Sequence, residues 1–100
     1  MINHITKSQR SELEKLVKLL TELKTNPNAD CEIGDIKYFT DELGNIYVRY
    51  LYNSLTTCNA NVYMNLMIIP SGRRIVLNDT MSVGEIETLF SLLNPIEENE

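Results

Sequence analysis

The fold is decided by residues 62–78, whose sequence is VYMNLMIIPSGRRIVLN. Aromatic, β-branched and long aliphatic side chains fill both halves of this stretch. Such a composition is typical of β-strands, in which successive side chains point to opposite faces with a period of two residues. Pro70, Ser71 and Gly72 separate the halves, because proline presets φ for a turn and glycine relaxes the backbone after it. The stretch therefore predicts a β-hairpin with strands at 62–69 and 73–78.

Two further strands precede this hairpin. Residues 33–40 and 46–53 are also rich in β-branched and aromatic side chains, and a short loop at 41–45 joins them. The polar segment 54–61 is longer, which is typical of an exposed connection between neighbouring strands. The sequence thus predicts four strands that pair in chain order.

A helix is predicted on each side of the strands. Between residues 7 and 24, leucine and valine recur every three or four positions with charged residues between them, which indicates an amphipathic helix. Thr6 and Gln9 can cap its start reciprocally. The second helix, over 83–93, begins with a Ser-x-x-Glu capping box and ends before a proline.

Length and composition limit the chain to one core. It has 100 residues, of which 43% are apolar, enough to form one domain without a metal or a disulfide. We expect a single α+β domain over residues 1–100, with flexible ends at 1–5 and 96–100. Its predicted architecture is a four-stranded antiparallel β-meander, flanked in sequence by an N-terminal and a C-terminal helix (αββββα).

The charge balance bears on the class of partner. Nine Lys and Arg residues stand against 14 Asp and Glu residues, for a net charge of −5, which is the wrong sign for a phosphate backbone. Nucleic acid is therefore disfavoured, and no apolar run is long enough for a membrane span. Cys31 and Cys58 match neither a zinc nor a redox spacing, and no secretory signal is present. These features predict a small acidic protein of the cytoplasm with free thiols.

Residues for ordinary catalysis are missing from the sequence. His4 is the only histidine, and the four glycines form no phosphate-binding loop. Carboxylate pairs at Asp41 and at Glu85 lie in a turn and in a helix start, where local hydrogen bonding explains them. We therefore predict no enzyme activity, no catalytic residues, no metal site and no cofactor.

The two faces of the predicted sheet differ in character. If Pro70 and Ser71 form the loop, Leu66 lies opposite Ile75 on the face towards the core. The other face carries residue types that are enriched at the centres of protein interfaces, where Lys, Glu and Asp are depleted. The predicted protein-binding residues are Tyr47, Arg49, Leu51, Tyr63, Asn65, Met67 and Arg74.

This face predicts a small interaction module, such as an inhibitor, adaptor, chaperone or viral accessory factor. Its partner would be another protein or a second copy of the chain, as a homodimer. One alternative is that one helix covers each face and both faces are core, with Arg49 and Arg74 at the edge. Another is a single-stranded nucleic-acid binder that stacks bases on Tyr47 and Tyr63 beside Arg49. A third is a small-ligand protein with a pocket between the helices and the sheet.

Overall fold

Two helices and one antiparallel sheet make up the fold of the part of the chain that the structure describes. The computed structural model describes residues 5–56 and 61–96. The strands lie in the spatial order β4-β3-β2-β1-β5. The predicted α+β architecture is confirmed, although the sheet has five strands rather than four. The elements are α1 (Lys7–Thr25), β1 (Cys31–Thr40), β2 (Ile46–Ser54), β3 (Asn61–Ile68), β4 (Arg74–Val76), a 3-10 turn (Leu77–Asp79), α2 (Val83–Ser91) and β5 (Asn94–Pro95).

The additional strand, β5, is only two residues long. Asn94 and Pro95 pair with Thr40 and Phe39 of β1. A segment this short has no periodicity that could mark it as a strand, and its proline was expected only to end the helix. Proline is tolerated there because β5 is an edge strand, on which a missing N–H need not face a neighbour.

The register of the β3–β4 hairpin differs by one residue from the prediction. Leu66 lies opposite Val76, and not opposite Ile75. The loop holds a third residue, Gly72, whose φ of 92° is in the left-handed region that glycine favours. A shift of one residue moves every side chain of a strand to the other face. Arg74 therefore lies on the same side of the sheet as α1, and the prediction that it shares a face with Tyr63, Asn65 and Met67 is wrong.

Each helix covers one face of the sheet. On the first face α1 packs against buried residues of β1, β2 and β3, and on the second α2 forms a separate core with the 3-10 turn and one end of the sheet. The first core contains Leu13, Leu16, Leu20, Ile33, Ile46, Val48, Tyr50, Leu66 and Ile68. The second contains Tyr47, Leu77, Ile86, Phe90 and Leu93. Helix α2 thus covers part of the face that the leading interpretation leaves open, and the placement of one helix on each side, as in the first alternative, describes the fold.

Polar side chains fix the start of α1 over the sheet. Thr6 and Gln9 form the predicted capping box. Gln9 is buried, and its Nε2 donates hydrogen bonds to the carbonyl oxygens of Gly44 at 2.6 Å and Ile68 at 3.0 Å. One amide thus ties the helix to the β1–β2 turn and to the end of β3, and its own donors are satisfied in the process.

Strand β1 is interrupted by a bulge near its start. Its pairing register with β2 shifts between Ile33 and Ile36. A Cβ atom on Gly34, within this bulge, would lie 2.9 Å from the Cβ of Leu51 on β2. Glycine is therefore required for the close approach of the two strands, a role that glycine often has in bulged strands.

The ends of the described chain pack onto the domain. Ile5 and Ile96 both pack against the α1-side core, and the backbone N–H of Ile96 donates to the carbonyl oxygen of Tyr38 at 2.8 Å. The other residues of the two ends that the sequence predicts to be flexible, 1–4 and 97–100, lie outside the described residues. Within the described part of the chain, no helix is long and apolar enough to cross a membrane.

Candidate functional site

Six of the seven predicted binding residues share the α2-side face of the sheet. Alternation along β2 points Tyr47, Arg49 and Leu51 to this face, as the sequence indicates. Their partners on β3 complete the set, since the register pairs Tyr47 with Met67, Arg49 with Asn65 and Leu51 with Tyr63. Period two therefore groups these six correctly, and only Arg74 is separated from them.

Helix α2 divides this face into a covered end and an open end. At the covered end, Tyr47 is 5% exposed and Met67 packs beside it under the helix. Asn65, in the middle, is 2% exposed. At the open end, beyond the helix, Tyr63 is 54% exposed and Leu51 is half-buried. A partner could therefore reach Leu51, Tyr63 and the neighbouring guanidinium of Arg49, but not the other half of the predicted surface.

Arg49 lies at the boundary and is held on several sides. Its Nε donates to Oδ1 of Asn65 at 2.7 Å, and its Nη2 donates to Oε1 of Glu87 at 3.2 Å. The guanidinium carbon is 4.2 Å from the ring centroid of Phe90 and 5.2 Å from that of Tyr63. Both distances suit cation–π interactions. Arg49 is thus ordered before any partner arrives, with Tyr63 lying against it.

A side-chain amide takes over the pairing of β3 where β4 ends. Strand β4 stops at Val76, and Asn78 follows in the 3-10 turn. Oδ1 of Asn78 accepts from the backbone N–H of Asn65 at 2.6 Å, and its Nδ2 donates to the carbonyl oxygen of Tyr63 at 2.9 Å. The amide therefore presents one donor and one acceptor to β3, as a neighbouring strand would. It fixes the backbone that carries Tyr63.

Tyr63 stands between two cavities. The larger, of about 400 Å³, is lined by charged side chains of both signs together with aromatic and aliphatic ones. Its lining residues are Asp35, Lys37, Phe39, Arg49, Leu51, Tyr63 and Glu87. The smaller, of about 240 Å³, lies between β3 and the start of α2, where Val83 is exposed. An exposed aromatic ring flanked by two hollows is a shape that partner side chains can fill on both sides.

The larger cavity is balanced in charge. Lys37 and Arg49 lie directly opposite each other on β1 and β2, an arrangement of like charges that is unfavourable by itself. The carboxylates of Asp35 and Glu87 line the same cavity, and Glu87 pairs directly with Arg49. The site consequently offers two cationic and two anionic groups within one hollow.

The hydroxyl of Tyr47 stabilises the β1–β2 turn, and Tyr47 is not part of the accessible surface. Its hydroxyl donates to Oδ2 of Asp41 at 2.9 Å. Burial, together with the hydrogen bond to this carboxylate, raises the pKa of Tyr47 to about 12. Burial alone would raise the pKa of Asp41, but hydrogen bonds from Asn45, Tyr47 and Leu43 outweigh it and hold that pKa below its ordinary value. Because Tyr47 is 5% exposed and packs in the core under α2, its ring has no free face on which a base could stack.

The other sequence candidates do not converge on this site. Cys31 is a free, half-buried thiol at the start of β1, and His4 and Cys58 lie outside the described residues. Among the residues that the structure describes, no group of three or more His, Cys, Asp or Glu side chains could hold a metal ion.

Three contributors to the site were not predicted from sequence. Phe90 and Glu87 come from α2, and Asn78 comes from the 3-10 turn before it. The capping box predicts the start of α2, but nothing in the local pattern says over which face of the sheet the helix lies. Comparisons of the chain with protein-family models, with curated proteins and with solved structures found no match.

Proposed function

We propose that this chain is a small non-enzymatic interaction module of the cytoplasm, which docks another protein at the open end of its α2-side face. The observation that carries this proposal is the placement of Tyr63, which is 54% exposed and lies against a guanidinium that is already ordered. Tyr and Arg, together with Trp, are enriched among the residues that dominate binding energy at protein interfaces.

Preorganisation gives this arrangement its value for binding. A flexible arginine loses rotamer freedom when a partner immobilises it, which costs about 0.5–1.5 kcal/mol for a long side chain. Arg49 has lost that freedom already, through Asn65, Glu87 and Phe90. Asn78 likewise holds the backbone of Tyr63. Arg49, Asn65, Asn78 and Glu87 therefore satisfy one another, which supports a docking role over acid–base chemistry.

The charges favour a protein over a nucleic acid as the partner. Asp35 and Glu87 line the same cavity as Lys37 and Arg49, and these carboxylates would repel a phosphate backbone. A protein surface carries both signs and can complement such a hollow. The stacking alternative also loses one of its two rings, because Tyr47 is buried.

Site-specific photocrosslinking tests the proposal. A benzophenone amino acid is introduced at Tyr63 in one variant and at Leu43 in another. Leu43 is 80% exposed in the β1–β2 turn, away from the site, and provides the matched control. We expect a discrete protein adduct in extract of the native cell from position 63 and none from position 43.

Competition makes this experiment specific. An excess of unmodified chain should abolish the adduct, and an excess of Leu43→Ala should do the same. Tyr63→Ala should compete at least about tenfold less well, since it removes the aromatic anchor. Arg49 is unsuitable for this test because its packing against α2 couples it to stability. Equal competition by Tyr63→Ala, or a nucleic-acid adduct at position 63, would refute the proposed function.

A further inference from the structure

Helix α1 carries an apolar side chain that the sheet does not cover. Leu13, Leu16 and Leu20 are buried against the sheet, whereas Leu19, in the middle of the same helix, is 49% exposed. Leu19 lies three residues after Leu16 and four before Leu23, so these three side chains follow one flank of the helix. The apolar stripe of α1 is thus wider than the surface it covers.

A hollow lies beside this flank, on the face of the sheet opposite to the docking site proposed above. Its volume is about 240 Å³, and Leu19 and Leu23 line it from the helix while Tyr52, Met64 and Val76 line it from the sheet. Arg74 is the charged residue among those that line the hollow, and it already has a partner within the chain, because its Nε lies 3.7 Å from Oε2 of Glu12. The hollow is therefore open to an aliphatic side chain and offers little to a charged ligand.

Charges of opposite sign flank Leu19 along the helix, so two antiparallel copies of α1 would match each other in charge. Lys15 precedes Leu19 by four residues and Glu22 follows it by three, and both are exposed. They lie about 6 Å and about 4.5 Å from Leu19 along the helix axis, in opposite directions. A second α1 that runs antiparallel about a two-fold axis at Leu19 would place its Glu22 near Lys15 and its Lys15 near Glu22. A two-fold interface requires this kind of self-complementarity, which a different partner would not.

We propose that a second copy of this chain covers this flank of α1 and the hollow beside it. The two α1 helices pack antiparallel, the two Leu19 side chains meet at the axis along the edges of both hollows, and two Lys15–Glu22 ion pairs flank the contact. The surface is distinct from the open end of the α2-side face, so this inference does not depend on the proposed function.

Sedimentation of the full chain over a range of concentrations tests the proposal. We expect the mass of a dimer for the natural sequence and the mass of a monomer for Leu19→Glu, with an unchanged circular dichroism spectrum, because this side chain is half exposed. Lys15→Glu and Glu22→Lys should each raise the dissociation constant at least about tenfold, since each turns two attractive contacts into repulsive ones.

The double variant Lys15→Glu/Glu22→Lys gives the sharpest result. It should restore the dimer, because the exchanged charges again face each other across the axis. The matched control is Glu14→Lys/Lys24→Glu, which exchanges the same charge types at exposed positions of α1 on the side away from Leu19 and should leave the association unchanged. Tyr63→Ala should also dimerise normally, which separates this inference from the proposed function.

Three results would overturn the proposal. The first is the mass of a monomer at every protein concentration up to about 1 mM, which is the weak end of ordinary affinities. The second is a dimer that persists in Leu19→Glu. The third is a double charge-exchange variant that associates no better than the single variants.

Discussion

Replacing Asn78 by alanine should destabilise the protein more than its position in a turn suggests. The substitution removes the acceptor for the backbone N–H of Asn65, at 2.6 Å, and the donor to the carbonyl oxygen of Tyr63, at 2.9 Å. Asn65 is 2% exposed, so water cannot readily replace the lost acceptor. A buried unsatisfied donor costs about 1–3 kcal/mol, and a further lost hydrogen bond costs about 0.5–1.5 kcal/mol. We expect a loss of about 2–4 kcal/mol in the free energy of unfolding.

Urea denaturation followed by circular dichroism measures this loss, and native-state hydrogen exchange locates it. The amide of Asn65 should exchange much faster in Asn78→Ala than in the natural sequence. Asn28→Ala, in the exposed turn after α1, is the matched control and should change stability by less than about 0.5 kcal/mol. If Asn78→Ala also costs less than about 0.5 kcal/mol, the side-chain amide does not replace the missing strand, and the reasoning about the support of Tyr63 is refuted.

Two further predictions concern the glycines of the turns and the loss of stability at alkaline pH. Gly72→Ala should lower the free energy of unfolding clearly more than Gly44→Ala. Both glycines have positive φ, but only at position 72 would a Cβ atom lie 2.8 Å from a backbone oxygen, which is that of Ser8 in α1. Equal midpoints of urea denaturation for the two variants would mean that α1 does not pack closely against the turn at Gly72. Because the pKa of Tyr47 is raised to about 12 from an ordinary value of 10.0, the neutral hydroxyl stabilises the fold fully below about pH 10, and this contribution is lost as the pH rises through about 12. The size of this contribution is about 3 kcal/mol. The free energy of unfolding should therefore fall less steeply between pH 10 and 12 in Tyr47→Phe than in the natural chain. Equal slopes for the two proteins would contradict the raised pKa of Tyr47.

Local signals in the sequence predict the elements well. The caps at Thr6 and Ser82 predict the start of both helices, and the structure contains both capping boxes. Alternation groups the β2 and β3 side chains onto the correct faces, because period two depends only on the pleat of the strand. These features need no knowledge of the rest of the chain.

Features that depend on distant packing could not be predicted in this way. The position of α2 over Tyr47 and Met67 follows from the path of the chain after β4, and a capping box carries no information about that path. The face of Arg74 depends on whether Gly72 belongs to the loop, a difference of one residue that composition does not decide. The support of Tyr63 by Asn78 likewise arises only because β4 ends early and the turn brings an amide alongside β3.

The bulge at Gly34 affects how this protein can associate with others. A sheet grows by strand addition most readily where an edge strand is long and flat and its backbone groups are regularly spaced. The bulge breaks that spacing in the exposed part of β1, and the exposed charges of Glu32, Asp35 and Lys37 follow the same strand. The other edge, β4, is 3 residues long. Backbone templating of fibrils is therefore opposed at both edges of the sheet, which favours association through side-chain surfaces over strand addition.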